Sequence, residues 1–271
     1  MLVDTHTHFY DEWLLPDAEA AIQRALEAGV GKMIQADVDS AERPRMWEIG
    51  LRHPGVLFQM LGLYPGSVTA DNWKEELDAV YRIAAGDSLA SLGMTGTTPG
   101  MTGIVAIGEI GLDYHEGKEF AREQKEVLRL QFELAAKLNL PVNIHLRDAW
   151  EDFFAVLEDC CHLHLRGNLH CFSGSYEVYE RANRSGDFAV GIGGVLTFKN
   201  ASLPAVVARI PAEHLLLETD APYLAPVPYR GKRNESAYLP LIAARLAEVK
   251  GLSLKEIETI TTDNAIRLFN L

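Results

Sequence analysis

The feature that most constrains the fold is an alternation of short β-type runs with longer stretches of helical periodicity. Such an alternation is typical of a parallel sheet covered by helices, because parallel neighbours need a crossover connection that is usually helical. Eight units in a chain of 271 residues predict a (β/α)8 TIM barrel formed by one domain, 1–271. The strands are predicted at 2–5, 32–36, 57–62, 104–108, 142–144, 168–170, 188–191 and 215–219.

Two of the helices have clear sequence signals. Apolar residues at three- and four-residue spacings predict a helix over 120–138, which Pro141 closes. A ninth helix is predicted from the N-cap Ser253, with Glu256 three residues later, to Phe269. Because it follows the eighth unit, this helix is expected to pack outside the barrel. The Gly/Thr/Ser-rich segment 86–103 predicts a mobile surface loop.

Composition narrows the class of protein. No apolar run approaches the roughly 20 residues that span a bilayer, so no membrane association is predicted. The first residues lack a basic segment followed by an apolar stretch, so a cytoplasmic location is expected. Cys160, Cys161 and Cys171 have no C-x-x-C spacing, which argues against a disulfide framework and a thiolate metal site. Nothing in the sequence indicates an obligate protein partner.

Histidines and carboxylates stand at the predicted carboxyl ends of five strands. His6 and His8 are two residues apart, and in a strand this spacing directs both side chains to one face. Glu109 follows a buried apolar run, where an unpartnered carboxylate would be costly. Barrel active sites collect at the carboxyl ends of the strands, which favours a shared function. The candidate metal ligands are His6, His8, Glu109, His145, His170 and Asp220.

Six nitrogen and oxygen donors without a thiolate suit two divalent cations of the Zn, Mn or Mg kind. We assign Glu109 as the carboxylate that bridges the two cations. One cation is predicted to be held by His6, His8 and Asp220, and the other by His145 and His170. Such a pair lowers the pKa of a bound water and polarises the bond under attack.

Two of these carboxylates are also the candidate catalytic residues. Glu109 would hold both cations beside the attacking water, and Asp220 would accept the proton of that water. Glu218, two residues before Asp220, is a candidate partner for a ligand. The H-x-H spacing alone is a weak signal, because His162 and His164 repeat it before a strand, where we interpret it as structural.

Together the motifs D-x-H-x-H, G-E-x-G-L-D-Y, I-H-x-R-D-A, H-C-F-S-G and E-T-D-A-P-Y-L resemble the TatD family of metal-dependent deoxyribonucleases, within the amidohydrolase superfamily. The likeness spans nearly the whole chain. It implies a distorted TIM barrel that hydrolyses the phosphodiester bonds of DNA. By matching positions, it also implies the same six metal ligands that the strand ends indicate.

The candidate substrate contacts are three cationic residues and Tyr64. Arg147 and the cationic loop that contains Arg230 and Arg233 are candidate phosphate contacts. Tyr64 stands where the family usually has a His thought to help at the substrate phosphate, and Ser236 stands where it usually has a Pro. The formal net charge of −13 is unusual for a DNA-binding protein, although bound cations would offset negative charge locally.

Two other functions remain open at this stage. One is hydrolysis of an amide or ester in a small metabolite, as in other branches of the superfamily. Many of those enzymes carry a modified Lys on the fourth strand, where this chain has Glu109. The other is a binding or scaffold protein with a vestigial site, against which the intact ligand set argues.

Overall fold

A computed structural model describes residues 1–87 and 103–271. Eight parallel strands form one sheet in chain order, and hydrogen bonds join each strand to the next. The predicted (β/α)8 TIM barrel is therefore confirmed. The strands are β1 (Leu2–Thr7), β2 (Val30–Gln35), β3 (Leu57–Leu61), β4 (Ile104–Asp113), β5 (Val142–Arg147), β6 (Arg166–Leu169), β7 (Asp187–Ile192) and β8 (Leu215–Leu217).

The barrel closes between the end of β1 and the residues after β8. A parallel bridge joins Thr7 to Ala221, and the N–H of Asp220 donates to the carbonyl of His6 at 2.9 Å. The pairing here is short, since β8 ends at Leu217. This closure places the segment after β8 directly beside the end of β1.

Four predicted strands end too early, β7 by one residue, β1 by two, and β4 and β5 by more. β4 continues to Asp113 and β5 to Arg147, so Glu109 and His145 lie within strands rather than after them. In these two extensions polar side chains interrupt the apolar residues, so an apolar run by itself places the strand ends too early. In the barrel, however, their backbones pair with each other, as Gly111 with His145 and Asp113 with Arg147.

The helices that the structure describes occupy the outside of the barrel. The helix predicted at 120–138 begins one residue later, at Ala121. Most of the segment 86–103 lies outside the described residues. The helices are α1 (Ala18–Glu27), α2 (Arg43–Arg52), α3 (Trp73–Ala84), α4 (Ala121–Leu138), α5 (Trp150–Asp159), α6 (Tyr176–Ser185), α7 (Leu203–Arg209), α8 (Leu239–Lys250) and α9 (Leu254–Phe269).

The C-terminal helix α9 begins with the predicted capping box, in which Ser253 and Glu256 exchange hydrogen bonds. It covers the amino-terminal opening of the barrel. Asn264 donates to the carbonyl of Leu215, and Phe269 packs with the inward-facing residues of the strands. The helix therefore leaves the carboxyl-terminal opening of the barrel, where the candidate ligands lie, uncovered. Within the described ranges, no helix is both long and apolar enough to cross a membrane.

Candidate metal centre

His6 and His8 each direct the Nε2 atom of the ring toward the same point. The Nδ1 of His6 lies 2.9 Å from Oδ1 of Asn143, and the Nδ1 of His8 lies 2.9 Å from the hydroxyl of Tyr10. That hydroxyl already donates to a backbone carbonyl, so it accepts from His8. Both Nδ1 atoms are therefore donors, which leaves a lone pair on each Nε2.

These two Nε2 atoms lie only 3.1 Å apart. Two acceptor lone pairs at this distance repel one another unless a cation or a proton lies between them. Asp220 adds an anionic oxygen to the same point, with its Oδ1 at 3.6 Å from Nε2 of His6 and 3.5 Å from that of His8. This donor set fits a divalent cation.

Glu109 lies between two groups of histidines. Its Oε1 lies 2.9 Å from Nδ1 of His145 and 2.9 Å from Nε2 of His170. Its Oε2 faces the other side, at 3.3 Å from Nε2 of His6 and 3.8 Å from Nε2 of His8. The carboxylate is 4% exposed, so nearly all of its partners come from the protein. One oxygen for each group is the arrangement that a bridging carboxylate requires.

The structure thus brings all six candidate ligands together at the carboxyl end of the barrel. Geometrically, three of them, His6, His8 and Asp220, form one compact cluster, and His6, Glu109 and His170 form a second. His6 belongs to both. His145 lies beside the second cluster, with its Nδ1 3.1 Å from Nε2 of His170.

Asp113 holds His145 in place. Its Oδ2 lies 2.9 Å from Nε2 of His145 and accepts a hydrogen bond from the Tyr64 hydroxyl at 3.3 Å. Its Oδ1 accepts the backbone N–H groups of His115 and Glu116. Burial opposes ionisation of Asp113, but these hydrogen bonds, led by that of His145, lower its pKa to about 2. An ionised Asp113 fixes the ring so that Nδ1 faces Glu109.

Asp4, the first residue of the D-x-H-x-H motif, joins β1 to the segments after β8. Its carboxylate accepts hydrogen bonds from the backbone of His6, from both the N–H and the hydroxyl of Thr219, and from the hydroxyl of Ser236. The contacts cross as many as 232 positions of the chain. Ser236, the residue in place of the family's Pro, therefore has a structural role here.

Glu218 is buried behind His170, as its predicted partner role requires. Its Oε1 lies 3.8 Å from Nδ1 of His170, beyond hydrogen-bond range. The same oxygen accepts a short hydrogen bond from the N–H of Cys171. In this structure Glu218 therefore holds the backbone beside His170 rather than the imidazole itself.

The predicted phosphate contacts are engaged elsewhere in this structure. Arg147 donates to Glu116 at 3.3 Å, and its side chain is exposed. Arg233 donates to Asp17 at 2.5 Å and to the carbonyl of Trp13 at 3.2 Å. The guanidinium of Arg230 lies over the ring of Phe198, at 4.4 Å from its centroid. Of the four predicted substrate residues, the structure brings only Tyr64 against a candidate ligand, with its ring 5.0 Å from that of His145.

Comparison with known proteins matches residues 3–270 to the family described as TatD related DNase. The chain belongs to this family. The metal-dependent hydrolase YabD of Bacillus subtilis (strain 168) is 38% identical over 272 residues, which cover 100% of both chains. The 3'-5' ssDNA/RNA exonuclease TatD of Erwinia tasmaniensis is 33% identical over 261 residues, or 94% of each chain.

A solved structure gives the same result. The crystal structure of YjjV, a TatD homolog from Escherichia coli K12, has a TM-score of 0.86 and 28% identity, and the match covers 100% of this chain and 98% of that one. The family resemblance predicted from the motifs is confirmed, and with it the prediction of a hydrolase. Membership also makes metal dependence the expected property of this centre.

We expect Asp113→Asn to weaken metal binding by about 10- to 100-fold, as is typical when the partner of a ligating histidine is lost. The amide would leave Nε2 of His145 without an anionic acceptor, and the ring would lose its orientation. Competition with a chromogenic chelator measures the affinity. Asp187→Asn, an exposed change at the start of β7 and so at the opposite end of the barrel, is the matched control. Unchanged metal affinity in Asp113→Asn would contradict this role.

Proposed function

We propose that this chain is a deoxyribonuclease that hydrolyses phosphodiester bonds with two divalent cations, of the Zn, Mn or Mg kind. The observation that carries the proposal is the position of Glu109, which has one carboxylate oxygen toward each of two histidine pairs. Cations held there by the six candidate ligands would supply a water of lowered pKa and a clamp for the phosphate oxygens. The ligand set and the number of cations are part of the proposal.

Asp220 is the group we assign to accept the proton of the attacking water. Its side chain is 14% exposed, against 5% for Glu109, so it is the candidate carboxylate that water reaches more readily. Burial opposes ionisation of Asp220, but the adjacent histidines, His8 foremost, lower its pKa. It is therefore an anion at neutral pH, as a general base must be.

Substrate binding is proposed to involve the cationic loop at the rim. Within the described part of the chain, no carboxylate lies at ion-pair distance from Arg230, whereas Arg147 and Arg233 each have one. Arg230 is therefore the best placed of the three to meet a phosphate at little cost. The Erwinia relative is named as an exonuclease of single-stranded DNA and RNA. We propose the same class of substrate for this chain.

Hydrolysis of a small metabolite is the alternative, and it is not favoured. The relatives from Erwinia tasmaniensis and Pantoea vagans are named as exonucleases of single-stranded DNA and RNA. Structural likeness to a lactonase from Deinococcus radiodurans, at 13% identity and a TM-score of 0.62, shows a shared fold alone.

Removal of metal tests the proposal. We expect protein treated with a chelator to leave 5'-labelled single-stranded DNA intact, and added Mn²⁺, Mg²⁺ or Zn²⁺ to restore cleavage. Gel analysis of the products over time measures the rate, and double-stranded DNA, RNA, an aryl ester and a lactone are assayed beside it. Protein carrying Asp220→Asn and purified in the same way reports any contaminating nuclease. Cleavage of the ester or lactone without cleavage of nucleic acid would contradict the proposal.

A further inference from the structure

Two exposed aromatic side chains stand side by side at the rim of the candidate metal centre. Among the aromatic residues that the structure describes, only Trp13 and Tyr223 are exposed by more than a third of their surface, at 60% and 43%. Their ring centroids are 6.1 Å apart, and Tyr223 is 6.2 Å from the ring of His8. Large exposed aromatic surface in one place is costly in water and marks an interaction site.

A single carboxylate joins the backbone of Trp13 to the side chain of Tyr223. Asp11 accepts the backbone N–H of Trp13 on Oδ1, at 2.8 Å, and the hydroxyl of Tyr223 on Oδ2, at 2.5 Å. The N–H of Asp11 donates in turn to the carbonyl of His8, at 3.0 Å. The backbone of Trp13 and the side chain of Tyr223 are thus tied to the segment of a candidate metal ligand, although 212 positions of the chain separate Asp11 from Tyr223.

The cationic loop also contacts the segment that carries Trp13. Arg233 donates to the carbonyl of Trp13 and forms an ion pair with Asp17, so it joins the loop after β8 to the segment that carries Trp13. The interplanar angle of 50° between Trp13 and Tyr223 shows that the rings are not stacked on one another. Their faces therefore remain available to a flat partner.

We propose that Trp13 and Tyr223 form a platform on which a base of the nucleic acid stacks while its phosphate lies at the metal centre. The inference rests on the proposed nuclease function and specifies its substrate. A base is the occupant that fits, because planar aromatic surface, nearby cations and an adjacent phosphate site are what binding of a single strand uses. In a duplex the face of each base is covered by its neighbours, so the platform favours unpaired nucleotides.

Base-free substrate gives the sharpest test. The full-length, metal-loaded enzyme is assayed on a single-stranded DNA oligonucleotide and on a fully abasic oligonucleotide of the same length, which keeps the phosphates but has no bases. We expect Trp13→Ala to raise KM about tenfold on the normal strand and to leave KM on the abasic strand unchanged. Trp13→Phe, which keeps a flat ring, should retain most of the wild-type affinity.

A control and a second measurement separate stacking from damage to the fold. Leu254→Ala removes a side chain that is 42% exposed from α9, at the other end of the barrel. This variant should change neither the KM for the normal strand nor the KM for the abasic strand. In excess chelator, where no cleavage occurs, normal oligonucleotide should quench wild-type tryptophan emission more than that of Trp13→Phe.

The outcomes distinguish this platform from the function on which it rests. Cleavage of DNA by the wild type with equal effects of Trp13→Ala on both strands, or none on either, would overturn the platform and leave the nuclease. Failure of the wild type to cleave any nucleic acid, with emission from Trp13 still quenched by the normal strand, would overturn the nuclease and leave a base-binding platform. Absence of both cleavage and quenching would overturn both.

Discussion

Replacement of Glu109 by Gln is expected to lower metal-dependent hydrolysis by at least about a thousandfold. The amide has one oxygen in place of two, so it offers no anionic oxygen to either histidine pair. Loss of the proposed bridging anion would remove charge from the cation site and misplace the two proposed cations. A loss of about 4 kcal/mol of transition-state stabilisation corresponds to a thousandfold in rate. Initial rates on single-stranded DNA, with saturating metal, measure the effect.

The metal content of the same variant shows how the loss arises. Elemental analysis after dialysis should find fewer bound cations per chain in Glu109→Gln than in the wild type, since the anionic bridge is gone. Glu75→Gln, an exposed change in α3, should keep both the metal content and the rate. Full activity in Glu109→Gln would show that the assigned centre is not the reaction site.

Replacement of Arg43 by Met is expected to destabilise the fold by about 3–5 kcal/mol, because it leaves a buried carboxylate without its counterion. Arg43 is 2% exposed and donates from Nε to Asp37, which is fully buried, at 2.6 Å. The same Asp37 oxygen accepts the N–H of Gly62, and the Asp37 carbonyl accepts the N–H of Glu109. The pair therefore also supports the backbone of the candidate bridging ligand.

Urea unfolding in excess chelator measures this loss without the contribution of bound metal. Arg52→Met is the matched control, because Arg52 is 48% exposed and its ion pairs with Glu19 and Glu48 should contribute at most about 1 kcal/mol. The double variant Asp37→Asn with Arg43→Met should recover part of the stability, since the buried charge is removed with its partner. A loss in Arg43→Met no larger than that in Arg52→Met would contradict the prediction.

The pH dependence of the loss has a definite sign. Burial raises the pKa of Asp37 to about 6 even with Arg43 beside it, and without Arg43 the pKa should rise further. A carboxyl group whose folded pKa exceeds its unfolded value loses stability as the pH rises between the two values. The destabilisation in Arg43→Met should therefore be larger at pH 8 than at pH 5.

Much of the candidate site could be predicted from local sequence. His6 and His8 share a face because strand side chains alternate, and Glu109, His145 and His170 each stand at the predicted end of a strand. In a parallel barrel all strand ends of one kind meet at one opening, so strand-end position was enough to bring these residues together. The predicted ends of β4 and β5 were wrong because Glu109 and His145 interrupt the apolar residues by which the strands were recognised.

The partners of the candidate ligands could not be predicted in this way. Asn143 and Tyr10 fix the ring nitrogens of His6 and His8, yet nothing in their local sequence distinguishes them from other polar core residues. Arg233 remains a predicted phosphate contact, and its contacts with Asp17 and with the carbonyl of Trp13 had no signal in the sequence. Its pairing depends on which loops become neighbours when β8 closes on β1.

The sequence by itself determined the class of fold, the family and the set of candidate ligands, because strand periodicity and strand-end position are local properties of the chain. Only the tertiary structure decided which oxygen of Glu109 faces which histidines, that Asp113 orients His145, and that Asp11 holds Trp13 beside Tyr223. These contacts join segments as many as 212 positions apart. Their geometry is set by closure of the barrel, and no local pattern of residues encodes it.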